Sequence, residues 1–258
     1  MPYANNQGIR IHYDVEGEGS PLVLQHGITW SARRWYQLGY VDALRADYRV
    51  ILVDARGHGA SDKPHDRTMY QLPLYVSDVV AVLDDLDLDR AHYWGYSMGG
   101  WIGFGMAKYA PERVDSLVIG GSHPYEVRVP PSNRLDGSDP QAFLEALYGR
   151  IGVDLAKLSS EARDQLLAND FRALAAALQD RPSLEDVLPA MRMPCLLYVG
   201  EADPVCPRVR ECVRHMPNAL FLSLKNLDHG AAFREAQLVL PHVTRFYGEM
   251  PASNKARR

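Results

Sequence analysis

The chain has 258 residues, 47% of them hydrophobic and 23% charged, with a formal net charge of −4. That length is ample for one large core, and the composition is ordinary for a soluble globular protein. The acidic balance argues against nucleic acid or an anionic membrane as partner, and no apolar run is long enough to span a bilayer. The opening Met1-Pro2-Tyr3-Ala4-Asn5-Asn6 lacks the charged and apolar regions of a secretory leader. Cys195, Cys206 and Cys212 are an odd number in a long chain, which suits free thiols and a cytoplasmic location. No second Cys or His pair with zinc-like spacing accompanies Cys206 and Cys212, so no structural zinc is expected, and no metal or cofactor is called for. Lys255-Ala256-Arg257-Arg258 is the one basic block and reads as a frayed tail.

Short apolar runs alternate with amphipathic ones, the pattern of βα units in a mostly parallel sheet with helices on both faces. Residues 8–15 alternate and read as an edge strand; residues 21–25 read as a buried strand ending at His26-Gly27. A helix is predicted over 30–46, a strand over 48–54, and a helix over 72–86 with Val76, Val79, Val80 and Leu83 at helical spacing. The aromatic run 90–94 predicts another strand, and residues 99–108, dense in small side chains, the helix after it. Strands follow at 116–120, 195–200 and 219–224, and a closing helix at 231–247 that Pro241 can kink. Residues 122–193 offer no strand candidate, while 141–148 and 161–178 are helical in pattern. A crossover needs far fewer residues, so this stretch reads as a helical cap inserted into a core of 1–121 and 194–258.

The chemistry concentrates at Gly95-Tyr96-Ser97-Met98-Gly99, between a predicted strand and a predicted helix. A serine on such a sharp turn stands above the sheet, and the residues two before and two after it must nearly lack side chains. A serine hydroxyl needs a neighbouring imidazole as base, itself oriented by a carboxylate. Of nine histidines, His229 lies in the polar loop Asn226-Leu227-Asp228-His229-Gly230, after the last strand and at the edge that displays Ser97. His123 also follows a strand, whereas His215 and His242 sit in helical patterns. Asp203, fixed by Pro204 after the strand 195–200, is the expected carboxylate. Glu126 is its serious rival and Glu201 a lesser one, while Asp228 is expected to point away from its neighbour and either solvate the loop or bond local backbone. The oxyanion donors expected are the backbone N–H groups of Met98 and Ile28.

With these residues in hand, the chain resembles the α/β-hydrolase family over nearly its whole length. The resemblance rests on His26-Gly27, on Asp54-Ala55-Arg56-Gly57-His58-Gly59-Ala60-Ser61, on Gly95-Tyr96-Ser97-Met98-Gly99-Gly100, on Gly200-Glu201-Ala202-Asp203 and on Asp228-His229-Gly230. It implies that the segment 54–61 is a structural loop, with His58 structural as well. Within the family, the elbow, the short cap and the length look like the 3-oxoadipate enol-lactonase, small carboxylesterase and cofactor-free haloperoxidase groups. A serine nucleophile argues against epoxide hydrolases and haloalkane dehalogenases, which carry Asp there.

The expected activity is hydrolysis of a small-molecule carboxylic ester or lactone through an acyl-enzyme on Ser97. Thioester or carbon–carbon bond hydrolysis, a perhydrolase reaction with peroxide in place of water, and a non-catalytic binding role remain open, because a fold alone does not choose among them. Trp30, Tyr125, Phe143 and Tyr148 are the candidate pocket walls, with Trp101 a further aromatic to weigh. Nothing in the sequence sets the oligomeric state.

Overall fold

The computed structural model describes residues 2–249; the basic block at 255–258 lies outside the described residues. Eight strands form one sheet: β1 (Tyr3–Asn6), β2 (Ile9–Glu16), β3 (Ser20–Gln25), β4 (Tyr48–Val53), β5 (Ala91–Tyr96), β6 (Val114–Gly120), β7 (Cys195–Gly200) and β8 (Ala219–Leu224). Their order is β1-β2-β4-β3-β5-β6-β7-β8, with β1 and β2 antiparallel and every pairing from β4 onward parallel.

The inner strands read as unbroken apolar runs because both of their faces are covered. Leu22, Leu24, Val50, Leu52, Trp94, Val118, Leu196 and Tyr198 face one layer, and the residues between them face the other. The first layer is closed by α1 (Arg33–Gln37), α2 (Tyr40–Leu44) and α10 (Ala236–Gly248), through Trp35, Tyr40, Leu44, Val239 and Val243. The second is closed by α3 (Leu72–Asp85), α4 (Met98–Tyr109) and α8 (Cys206–Val213), through Val76, Val79, Phe104 and Val209. Between β6 and β7 lie α5 (Pro140–Arg150), α6 (Ser160–Leu167) and α7 (Phe171–Ala177), which enclose an apolar cluster of their own built on Phe143, Leu147, Leu166 and Leu174. The remaining helix, α9 (His229–Arg234), follows β8.

Several sequence expectations need correction. The strand predicted at 8–15 is not an edge, because β1 pairs along its outer side. The helix predicted over 30–46 is two short ones, separated at Gly39, whose φ of +78° no helix interior accepts. The pattern over 161–178 is also two helices, since the Asp170 side chain caps the Ala173 N–H and starts α7 afresh. The closing helix breaks at Glu235, and Pro241 sits inside α10 without ending it. Among the described residues no helix is long and apolar enough to cross a membrane.

The loop after β4 is held from within. The Asp54 carboxylate accepts the N–H groups of Ala32 (2.7 Å) and Ala60 (2.9 Å) and bonds His12 Nδ1 (2.9 Å). Burial would raise this carboxyl, but the His12 bond, the nearby His26 and the two N–H groups outweigh it and hold it at about 2. Arg56, 1% exposed, meets Asp78 of α3 through Nε and Nη2, both at 2.6 Å. His58 donates from Nδ1 to the Arg56 carbonyl at 3.0 Å, and burial, reinforced by His26, pushes its ring down to about 3.

An unfolded histidine takes its proton near pH 6.5. Stability tied to the neutral His58 ring is therefore complete above that pH and drains away as pH falls towards 3. A His58→Gln variant should lose less stability than the parent between pH 6.5 and 4, by on the order of 3 kcal/mol. Urea titrations at each pH make the comparison, and parallel losses would show that His58 does not titrate on unfolding.

Candidate active site

The parallel strands end at one edge of the sheet, and the polar residues singled out in the sequence gather there. β5 turns sharply into α4 at Ser97, which has φ +54° and ψ −108°. A Cβ on Gly95 would lie 2.1 Å from the Gly99 carbonyl oxygen, and a Cβ on Gly99 would lie 2.1 Å from that of Gln25. Only glycines let these three backbones close on one another. The Ser97 N–H is anchored to the Gly120 carbonyl of β6 at 2.8 Å.

His229 is the first residue of α9, not a loop residue, and the Asp228 side chain caps that helix by accepting the Ala231 N–H at 2.7 Å. Its Nε2 lies 3.0 Å from Ser97 Oγ, and its Nδ1 lies 2.6 Å from Asp203 Oδ2. Asp203 is 2% exposed, and its other oxygen accepts the Val205 N–H at 3.0 Å. With Nδ1 donating to the carboxylate, Nε2 is left to accept from the serine hydroxyl. Glu126 is exposed and pairs with Arg128 at 2.6 Å, and Glu201 takes the Ser223 hydroxyl at 3.1 Å. His215 bonds Glu211 at 3.2 Å, and His242 is exposed. Tyr96, whose role has no local sequence signal, donates its hydroxyl to the His229 carbonyl at 2.5 Å and stacks on Phe233 with centroids 4.5 Å apart.

Two chambers meet at Ser97 and His229. The smaller, of about 40 Å³, has walls from Ile28, Trp30, Leu147, Tyr148, Val153 and Phe233, together with Arg34 and Arg234. The larger, of about 450 Å³, is bordered by Ile28, His123, Leu147, Arg150, Arg181 and Arg208 among others. Burial, and then the charges of Arg208 and Arg181, push His123 down to about 4. Trp30 and Tyr148 thus stand where pocket walls were expected, but Phe143 and Tyr125 do not. Phe143 packs edge-on against Phe171 inside the inserted helices, with centroids 5.5 Å apart, and Tyr125 packs on the core beside His123. Trp101 lies in the core beneath Arg181, whose guanidinium sits 4.5 Å from its ring centroid. Period alone does not say whether an aromatic on a short helix faces that helix's own cluster or a cavity.

Ile28 and Met98 both adjoin Ser97, and neither backbone N–H has an acceptor among the described residues. After Ile28 comes Thr29, a β-branched residue at φ +70°, which is a strained conformation. The insertion holds it there. Tyr148 Oη meets Thr29 Oγ1 at 2.9 Å, and Asn169 Nδ2 donates to the Thr29 carbonyl at 2.9 Å. On the core side, His26 donates to the Gly27 carbonyl at 2.8 Å and accepts the Ala55 N–H at 3.0 Å.

Comparison with known proteins agrees with this fold. Residues 20–149 match the family described as "alpha/beta hydrolase fold", and the chain belongs to that family. It is 36% identical to the Azorhizobium caulinodans protein named "Putative carbamate hydrolase RutD", over 80% of this chain and 82% of that one. It is 31% identical, over 93% of this chain and 92% of the other, to the 2-hydroxy-6-oxononadienedioate/2-hydroxy-6-oxononatrienedioate hydrolase of Paraburkholderia phymatum. The solved enol-lactonase of Burkholderia xenovorans LB400 superposes with a TM-score of 0.79 at 24% identity, covering 96% of this chain and 100% of that chain, a likeness of fold. The protein is thus a member of the α/β-hydrolase family, and two of its relatives are named as hydrolases.

The tie between Tyr148 and Thr29 can be tested without any substrate. Removing one hydroxyl by Tyr148→Phe deletes a bond worth about 1 kcal/mol. Amide hydrogens at residues 28–30 should then exchange about fivefold faster, read by mass spectrometry of the covering peptide. Unchanged exchange would mean that the core side alone holds the loop.

Proposed function

We propose that the protein hydrolyses a carboxylic ester or lactone through an acyl-enzyme on Ser97. The observation that carries this reading is the unbroken run of bonds from Asp203 through His229 to Ser97, ending at the junction of the two chambers. In this reading, Ser97 Oγ attacks the substrate carbonyl while its proton passes to His229 Nε2. Asp203 keeps the proton on Nδ1 and stabilises the imidazolium that forms. The N–H groups of Ile28 and Met98 receive the charge that develops on the carbonyl oxygen. His229 then gives its proton to the departing alkoxide, and a water activated by the same nitrogen releases the acid.

Residues 122–193 act in this proposal as a cap. Leu147 and Tyr148 of α5, with Val153 and Leu158 beyond it, contribute to the smaller chamber, so the insertion selects substrates while the sheet edge supplies the chemistry. The same parts serve a thioester, and peroxide can replace water on an acyl-enzyme. An assay panel of p-nitrophenyl esters, lactones and thioesters, with and without peroxide, separates these activities.

Ser97→Ala should abolish ester hydrolysis, with a loss on the order of 10⁶-fold in kcat, and should prevent labelling by a fluorophosphonate. Asp203→Asn should lower kcat by about 10⁴-fold through the wrong imidazole tautomer, with Glu126→Gln close to the parent. A Ser97→Ala protein with most of its activity and a normal melting curve would reject the assignment. The reverse ranking of the two acid variants would move the orienting carboxylate to Glu126.

A further inference from the structure

Two arginines in the smaller chamber have no acid to answer them. Arg34 of α1 and Arg234 at the end of α9 line it together with Ser97 and His229. Among the described residues neither forms an ion pair, although nine other arginines do. Arg34 Nη1 reaches Gln37 Oε1 at 3.3 Å, and its guanidinium lies 4.4 Å from the Trp30 ring centroid. Burial, and after it the charge of Arg234, hold Arg34 below an ordinary arginine; Tyr148 and Glu161 pull the other way, with Glu161 outside ion-pair distance. The remaining walls are largely apolar, including Leu147, Ile151, Leu158 and Phe233. Two like charges sharing a half-buried site repel each other, and an anion set between them removes that cost.

We infer that Arg34 and Arg234 form a binding site for a carboxylate at the far end of the substrate's acyl group, so that the substrate is a half-ester of a short dicarboxylic acid. This rests on the ester reading above and adds the charge, the length and the side of the substrate. Guanidinium forks match a planar carboxylate with paired, charge-assisted hydrogen bonds. The length follows from size: the chamber of about 40 Å³ is much the smaller of the two and suits a short chain. The side follows from the order of events. The alcohol must leave while the acyl group stays on Ser97, so the larger chamber of about 450 Å³ suits departure and the smaller one suits retention.

The test compares three esters on the purified protein: monoethyl succinate, its neutral near-isostere ethyl 4-oxopentanoate, and carboxymethyl butanoate, which carries its charge on the alcohol side. The expected kcat/KM is at least about tenfold higher for monoethyl succinate than for either of the others, a factor typical of charge-assisted bonds. Replacing both arginines, Arg34→Met with Arg234→Met, should collapse that ratio to about one. A ratio near one in the parent, a preference that survives in the double variant, or a preference for the alcohol-side charge would each overturn the inference. Calorimetry on the Ser97→Ala protein separates this site from the reaction. Succinate should bind at least about tenfold more weakly once both arginines are replaced, or once Arg234→Gln alone is made if the double variant does not fold. Arginine-dependent succinate binding in a protein that turns over no ester would keep the anion site and sink the esterase reading. Turnover of esters with succinate binding indifferent to the arginines would do the opposite.

Discussion

Ser97 stands clear of the sheet because three stretches of backbone close on one another with no side chain between them. Gly95 lies under the Gly99 carbonyl, and Gly99 lies against that of Gln25, each with no room for a Cβ. This contact joins β5, α4 and the end of β3, so it ties the serine to the segment that carries Ile28. Much of the site depends on it. Were the turn wider, Ser97 Oγ would not fall within 3.0 Å of an imidazole that arrives from the far end of the chain. The strain at Ser97 is held by the sheet beneath, through the Gly120 carbonyl and the buried aromatic packing of Tyr96.

The surroundings of the serine are built from both parts of the chain. The core supplies His26, Asp203 and His229, each fixed by hydrogen bonds to neighbouring backbone or to one another. The insertion supplies Tyr148 from α5 and Asn169 from the turn between α6 and α7, which reach down to Thr29 and keep a β-branched residue in a left-handed conformation. The insertion therefore touches the loop bearing Ile28 as well as shaping the space above it. Any movement of α5 that broke the Tyr148 contact would also loosen the backbone beside the serine, which links chamber shape to the geometry of the site.

Charge is distributed against the overall balance of the molecule. The chain is acidic overall, yet the chambers beside Ser97 present Arg34, Arg150, Arg181, Arg208 and Arg234. Several are steadied by contacts other than acids: Arg34 by Trp30, Arg181 by Trp101 and Arg150 by the Arg128 carbonyl. Stacking on an indole and donation to a carbonyl position a guanidinium without neutralising it. Elsewhere, as at Arg56 and Asp78, the same side chain is fully paired and serves the core. The contrast between paired arginines in the structural loop and unpaired ones at the serine sets the field a substrate meets.

The sequence by itself determined the α/β architecture, the turn at Ser97 and the candidate partners around it. Those features are local: short apolar runs between amphipathic ones, glycines two residues either side of a serine, and polar segments directly after strands. Even the restarts at Gly39 and Asp170 were written locally, in a glycine and a capping aspartate, although the longer apolar periodicity masked them. Tertiary structure alone decided the rest. Asp203 rather than Glu126 meets His229 because β7 and β8 are neighbours, which brings two loops from distant sequence to one edge. Phe143 packed on Phe171 while Tyr148, five residues on, reached Thr29, because the cluster that holds both is also the one against which Ile28 and Trp30 pack. Arg34 and Arg234 lie two hundred residues apart and share a chamber only after β3 and β8 have each delivered a short helix to the same end of the sheet. Side-chain chemistry can be read one residue at a time, whereas the pairing of charges and the facing of aromatics depend on which distant segments the packed sheet places side by side.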